Sequence, residues 1–121
     1  MTALKVLNGE LYAGGTFLRM GDQAALNMAR WDGSAWHSMG PGLDNIVRDL
    51  TVLSGNVVAC GDFTSSGTAS VRRLARWDGQ AWTALGTGAD ARVWTVQPLG
   101  AGLLAGGEFA NAGSGLSLIH I

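Results

Sequence analysis

The sequence predicts an all-β chain, and three observations lead to this fold class. The segment Ala-Arg-Trp-Asp-Gly at residues 29–33 returns at residues 75–79, which is 46 positions further on. The 121 residues include 19 glycines and 2 prolines, and only 14% of them are charged, which is typical of turn-rich β structure. No segment keeps an apolar period of 3.6 residues for long enough to form a helix. We therefore expect short strands, separated by turns and repeated along the chain.

The repeat extends beyond this segment and reaches a third copy. Ala-Gly-Gly-Thr-Phe at residues 13–17 corresponds to Ala-Cys-Gly-Asp-Phe at 59–63 and to Ala-Gly-Gly-Glu-Phe at 105–109, with no gap between the copies. Identities at the same offset include Leu4/Leu50, Val6/Val52, Gly21/Gly67, Gly42/Gly88 and Asp44/Asp90. A repeat of this length indicates a supersecondary unit that packs against copies of itself. The predicted units are residues 1–46, residues 47–92 and a partial third unit at 93–115.

Each unit is predicted to contain four strands, and the second unit is the clearest. Its strands are predicted at residues 46–53, 56–63, 71–77 and 81–85. Ser54-Gly55 separates the first two, and Asp78-Gly79 is a strong hairpin signal between the last two. Four strands in 46 residues is the size of a propeller blade. The sequence therefore predicts a partial β-propeller of about two and a half four-stranded blades, the first strand of the first blade being truncated.

The order of motifs in one unit resembles the kelch-type blade. A Gly pair ends the second strand, an aromatic residue lies near the end of the third, and a Trp opens the fourth. The longer pattern, Gly-Gly-x-Phe followed by Ala-Arg-Trp-Asp-Gly-x-Ala-Trp and a final Gly-x-Gly, is similar to repeats of large bacterial surface or secreted propellers and of a propeller in fungal polarity proteins. The resemblance covers residues 1–115 and implies an extracellular or cell-surface location. A WD-repeat is an alternative, because Trp-Asp ends the third strand, although the expected upstream Gly-His is absent.

Both ends of the chain depart from the repeat. Met1 aligns with Val47, so we expect the true start of the first unit to lie upstream. After Gly115 the chain reads LSLIHI, which resembles a translated transposase adapter of the kind used in sequencing libraries. We interpret residues 116–121 as an artefact of this origin, and we expect no function for His120. An isolated piece of this kind would leave apolar blade faces in water and is expected to self-associate.

Charge and composition narrow the partners. Eight Lys and Arg against nine Asp and Glu give a net charge of −1, which offers no basic face for nucleic acid. The sequence has no run of 18 apolar residues that would predict a membrane span. The expected partners are an unknown protein or glycan ligand and the remaining blades of the same parent chain.

The repeat also predicts where binding occurs. Loops at residues 18–27, 41–45 and 64–73 share one rim, here called the long-loop rim. The turns at 8–9, 32–33, 54–55 and 78–79 share the opposite rim, here called the tight-turn rim, which is expected to leave little room for a site. Binding residues usually lie on loops of a rigid scaffold. The candidate contacts on the long-loop rim and on the axial first strands are Arg19, Asp22, Gln23, Asp44, Asn45, Arg48, Asp49, Arg72, Arg73, Asp90, Arg92 and Trp94.

The expected function is a non-catalytic scaffold or binding module of a larger protein, without a cofactor or metal. The sequence has no metal-ligand spacing and no nucleophile motif. The alternative is a fragment of a propeller enzyme such as a galactose-oxidase-like copper oxidoreductase, with its site in other blades. Such an enzyme needs a Tyr/Cys pair near the axis, whereas Tyr12 and Cys60 both lie in predicted second strands. Cys60 is expected to be a buried structural thiol, and the repeated Arg30 and Arg76 to stack on an indole of the next blade.

Overall fold

The computed structural model describes residues 3–21, 23–53, 55–84, 93–99, 102–107 and 116–120. Every regular element among these residues is a β-strand, and every pair of strands is antiparallel. No helix long and apolar enough to cross a membrane occurs in this part of the chain. The all-β prediction is confirmed.

The first unit forms a four-stranded meander with a small hairpin in its long loop. Its strands are β1 (Ala3–Leu7), β2 (Glu10–Gly14), β3 (Arg19–Met20), β4 (Gln23–Ala24), β5 (Met28–Trp31) and β6 (Trp36–Ser38). The sheet order is β1-β2-β5-β6, and β3 pairs only with β4. Asn8 and Gly9 join the first two strands with φ of 53° and 79°. These left-handed conformations match the right-handed twist of a two-residue hairpin and explain the Asn-Gly pair.

The second unit has the same order of strands. They are β7 (Val47–Leu53), β8 (Asn56–Gly61), β9 (Ser65–Ser66), β10 (Ala69–Ser70), β11 (Leu74–Trp77) and β12 (Trp82–Ala84). The sheet order is β7-β8-β11-β12, with β9 and β10 paired in the long loop. Gly67 turns this small hairpin with φ of 58°, as Gly21 does at 57° in the first unit. Residues 46 positions apart therefore occupy the same place in the two sheets.

A third sheet has the order β13-β14-β15, formed by β13 (Val93–Leu99), β14 (Gly102–Gly107) and β15 (Leu116–His120). Val93–Leu99 and Gly102–Gly107 correspond to β7 and β8 of the second unit. Residues 116–120 pair with β14 in the place of a third strand. Pairing does not bear on the adapter interpretation of this segment, which stays a prediction.

The core lies in two layers, one on each face of the second sheet. The first layer, between the first and second sheets, includes Tyr12, Met28, Val57 and Ala59. The second layer, between the second and third sheets, includes Val58, Cys60, Leu74, Val93 and Val96. Successive residues of β8 thus point alternately into the two layers, because side chains of a strand alternate between its faces. Burial on both faces explains why the strand shows no alternation of polar and apolar residues.

Two predicted strand boundaries of the second unit differ from the observed ones by two residues or more. The second strand of the second unit ends at Gly61 rather than Phe63, because the amides of Gly61 and Asp62 donate to Arg73 and Ile46 in the connecting segments. The third strand begins at Leu74 rather than at residue 71, since Arg72 and Arg73 have φ of 40° and 70°. Two left-handed residues in succession cannot continue an extended strand.

Candidate binding surface on the long-loop rim

Asn27 closes the long loop of the first unit. Its side chain is buried, accepts a hydrogen bond from the amide of Phe17 at 2.9 Å and donates one to the carbonyl of Leu43 at 2.7 Å. The backbone amide of Asn27 donates to the carbonyl of Phe17, and the amide of Leu43 to that of Leu26. Residues 39–46 lead from β6 into the second sheet and are here called the crossover. A single amide side chain therefore connects the loop of residues 18–26 to the crossover.

Asp44 performs a similar role between the crossover and the second long loop. Its carboxylate accepts hydrogen bonds from the backbone amides and the hydroxyls of Thr64 and Ser65, at 2.8 to 3.2 Å. Partial burial acts to raise the pKa of Asp44, but these bonds outweigh it and hold the pKa below its usual value. Because both oxygens already accept bonds, we interpret Asp44 as an anchor of the rim.

Arg48, Asp62 and Trp94 form a cluster where β7 and β13 begin, next to the long-loop rim. The guanidinium of Arg48 donates to both carboxylate oxygens of Asp62, at 2.7 and 3.0 Å. Its carbon Cζ lies 5.8 Å from the ring centroid of Trp94, within cation–π range. Trp94 is 54% exposed. The salt bridge orients the arginine, and the cluster presents an indole surface to solvent.

Asp49 links the second and third sheets. One of its oxygens accepts hydrogen bonds from the hydroxyl of Thr95 at 2.8 Å and from the amide of Val96 at 3.1 Å. The register shifts at equivalent places, between Val47 and Asp49 and between Val93 and Thr95. The carboxylate of Asp49 therefore connects β7 of the second sheet to β13 of the third.

A cleft of about 430 Å³ opens on the long-loop rim between the first loop and the crossover. Its polar lining includes Asp44 and Asn45, and its apolar lining includes Leu18, which is 72% exposed. The full lining is Thr16, Phe17, Leu18, Leu26, Asn27, Asp44, Asn45 and Ile46. This mixture of apolar wall and a few polar groups is typical of a binding cleft.

The remaining predicted contacts are dispersed. Arg19 is exposed on β3, Arg72 is exposed, and Arg73 is half-buried with its carbonyl accepting a bond from Gly61. Asp22, Asp90 and Arg92 lie outside the described residues, as does the side chain of Gln23. The structure thus brings Asp44 and Asn45 together at one cleft and Arg48 and Trp94 together in one cluster.

A second cleft, of about 320 Å³, lies on the tight-turn rim between the first and second sheets. The sequence analysis predicted little room for a site on this rim, and that prediction is wrong, because the turns and strands of the two sheets leave a cleft between them. Arg30, expected to stack on an indole, lines this cleft and donates to Glu10 at 2.5 Å. The cleft was missed because its residues come from two units. The signal that could have found it is the mismatch between copies at positions 10 and 12.

The groups considered for catalysis are separated. Tyr12 lies in the core layer before the second sheet and Cys60 in the layer behind it, so the sheet stands between them. Cys60 is fully buried, and burial together with the charge of Asp49 raises the pKa of its thiol well above its usual value. Among the residues that the structure describes, no three His, Cys, Asp or Glu side chains converge as a metal site would require.

His37 lies on β6, the outermost strand of the first sheet, and its Nε2 is 2.6 Å from a carboxylate oxygen of Asp32. Asp32 also caps its own turn through the amides of Ser34 and Ala35. The hydrogen bond to His37, followed by these amide bonds, strongly lowers the pKa of Asp32.

The chain was compared with models of known protein families and with curated proteins, and neither comparison gives a match.

Proposed function

We propose that this chain is part of a β-propeller that serves as a non-catalytic scaffold and binding module of a larger secreted or cell-surface protein. The observation that carries the proposal is the arrangement of the first strands. β1 lies against β7, and β7 lies against β13, while each sheet extends outward from its first strand. Radial sheets with adjacent inner strands are the architecture of a propeller.

The burial of one repeated position supports the presence of further blades. Leu50 is 3% exposed and Val96 is fully buried, each against the preceding sheet. The equivalent residue of the first unit, Leu4, is 53% exposed, and Val6 on the same face is 65% exposed. A sheet of the same kind packed on this face would bury Leu4, as it buries Leu50 and Val96 in the next two units, and would cover Val6.

The long-loop rim is the proposed ligand surface, for a protein or a glycan. Asn27 and Asp44 hold its loops in place before a ligand arrives, and a surface ordered in advance loses less entropy on binding. Trp94 and Leu18 supply exposed apolar area, with the Arg48–Asp62 pair beside the indole. Aromatic and arginine side chains of this kind dominate the energetics of binding surfaces.

The exposed face of β1 gives the first test of this proposal. We expect the chain to self-associate in sedimentation velocity, because Leu4 and Val6 form an apolar patch that another sheet can cover. Leu4→Lys should shift the distribution toward monomer. Leu18→Lys, which adds the same charge at a more exposed position on the long-loop rim, should leave the distribution unchanged. A wild-type chain that is monomeric at all concentrations would contradict the proposal.

The ligand surface is tested with arrays of printed glycans and peptides. If the rim binds, Trp94→Ala and Leu18→Ser should each reduce the signal about tenfold, the usual effect of losing an aromatic or apolar contact. Val6→Ser is the control, because Val6 is equally exposed but lies on the sheet face. Equal losses in all three variants would mean that the signal comes from nonspecific adsorption through exposed apolar side chains, and not from the long-loop rim.

A further inference from the structure

The cleft on the tight-turn rim has a floor that differs between the units. Position 10 of the first unit is Glu10 and its equivalent is Asn56, while Tyr12 corresponds to Val58. Both units form the same four-stranded sheet, so neither Glu10 nor Tyr12 is needed to build it. Residues that repeat in both units serve the common fold. A polar group that is present in one unit only is therefore a candidate for a role other than building the sheet.

The wall from the first sheet consists of Glu10, Tyr12 and Arg30. Arg30 donates to Oε2 of Glu10, and the hydroxyl of Tyr12 donates to Oε1 at 3.3 Å. Burial, the charge of Glu10 and this hydrogen bond raise the pKa of Tyr12, against the opposing charge of Arg30. The wall thus offers a fixed carboxylate acceptor beside the remaining N–H donors of a guanidinium.

The wall from the second sheet consists of Asn56, Trp77 and Asp78. Asn56 lines the cleft, and its side-chain NH2 donates to the carbonyl of Trp77 at 3.0 Å, so that its oxygen can still accept a hydrogen bond. The Trp77 ring is fixed by Trp82, with ring centroids 5.3 Å apart. Asp78 uses Oδ1 to accept from the amides of Gln80 and Ala81. Its counterpart Asp32 uses Oδ2 for His37, but position 37 is Thr83 in the second unit.

The charges of the cleft disfavour an anion. Glu10 and Asp78 carry two negative charges, and Arg30 carries one positive charge that is already paired with Glu10. A phosphate or carboxylate ligand would meet an excess of negative charge. A neutral ligand with several hydroxyl groups would meet alternating acceptors and donors, with aromatic surface from the half-buried Trp77 against its C–H face.

We infer that the tight-turn cleft is a binding site for a neutral saccharide, one or two sugar rings in size. Its volume of about 320 Å³ falls at the small end of ligand sites, which span about 300–1,000 Å³. Sugar hydroxyls donate to Glu10 and to the oxygen of Asn56 and accept from Arg30. The ring packs against Trp77. The site is formed by the first two sheets alone, so it does not depend on the proposed further blades or on the long-loop rim.

The test is a titration of the whole chain with methyl glycosides of glucose, galactose, mannose and N-acetylglucosamine at millimolar concentrations. Binding is followed by saturation-transfer NMR on the sugar and by tryptophan fluorescence. At least one glycoside is expected to bind, with Kd in the millimolar range. Glu10→Gln, Arg30→Lys and Trp77→Phe should each weaken binding on the order of tenfold.

The repeat supplies matched controls. Arg76 in the second unit is the equivalent of Arg30, and Trp31 in the first unit is the equivalent of Trp77. Neither lines the cleft, so Arg76→Lys and Trp31→Phe are the control variants. Trp31 packs on Trp36 with the same 5.3 Å centroid distance as Trp77 on Trp82, so the two Phe variants disturb the same kind of contact. The controls should bind as the wild type does.

Three results would overturn the inference. The first is the absence of binding by every glycoside while far-UV circular dichroism shows a folded chain. The second is equal weakening by Trp31→Phe and Trp77→Phe, which would place the sugar elsewhere or reflect altered folding. The third is binding of inorganic phosphate or choline in place of the glycosides, which would assign the cleft to an ion. Loss of the rim signal by Trp94→Ala alone leaves this inference standing.

Discussion

Gly61→Ala is expected to lower the free energy of unfolding by about 3 kcal/mol or more, the sum of a backbone clash and a lost interstrand bond. A Cβ at residue 61 would lie much closer than 3.0 Å to the carbonyl oxygen of Ile46, and 3.1 Å from the amide of Arg48. That carbonyl accepts the amide of Asp62 at 2.9 Å. The neighbour is backbone, so it cannot turn aside as a side chain could. The crossover would have to separate from β8.

The measurement is urea unfolding followed by tryptophan fluorescence. Gly55→Ala is the control, because Gly55 has open space around it but a left-handed φ of 80°. It should cost about 1–2 kcal/mol, the penalty for an L-residue in that conformation. If Gly61→Ala costs no more than Gly55→Ala, the close approach of the crossover to β8 is wrong.

The fold was predictable from the sequence where local chemistry repeats. Asp78-Gly79 marks the predicted hairpin between the third and fourth strands of the second unit. The small hairpins that turn at Gly21 and Gly67 were not predicted, because they lie in segments expected to be loops. At Gly14 and Gly61 the strand lies so close to its neighbours that a Cβ would meet Val47 and Ile46. The start of β11 was not predictable, since nothing in the type of Arg72 or Arg73 demands a positive φ.

The sites were less predictable, because they depend on contacts between units. The sequence places Asp44 on a loop, but it does not reveal that Thr64 and Ser65 will come to meet its carboxylate. Arg48 and Asp49 lie on β7, the first strand of the second sheet, but the sequence does not reveal that Asp62 and Thr95 contact them. Conversely, the tight-turn cleft joins residues about 20 to 70 positions apart that have no sequence motif in common. Its one sequence signal is a departure from the repeat.

Among the side chains of the long-loop rim, we expect that of Asn27 to contribute most to the free energy of unfolding. Asn27→Gly removes the bonds to Phe17 and Leu43 without straining the backbone, whose φ is 61°. We expect a loss of about 2–3 kcal/mol, since buried polar groups left without partners cost about 1–3 kcal/mol each. Asn27→Ala should lose about 1 kcal/mol more, because alanine resists the left-handed conformation.

Asn8 provides the matched control for this prediction. It has a similar φ of 53°, but it lies exposed in the β1–β2 turn. Asn8→Gly should therefore change the stability by no more than a few tenths of a kcal/mol, as expected for a surface change. Urea unfolding compares the two glycine variants, and hydrogen exchange of the Phe17 amide reports the loop directly. Equal stability of the two variants would contradict the role of Asn27.

The second unit shows why the side chain and the backbone of Asn27 can be separated. Arg73 occupies the equivalent position with φ of 70°, and its carbonyl accepts the amide of Gly61 as that of Asn27 accepts the amide of Gly15. The backbone arrangement is thus common to both loops, whereas the amide bridge to the crossover is found at Asn27. Asn27→Gly should then accelerate exchange at Phe17 while the Gly15 amide stays protected. Equal acceleration at both amides would contradict this separation, because it would mean that the Asn27 side chain holds the end of the strand as well as the loop.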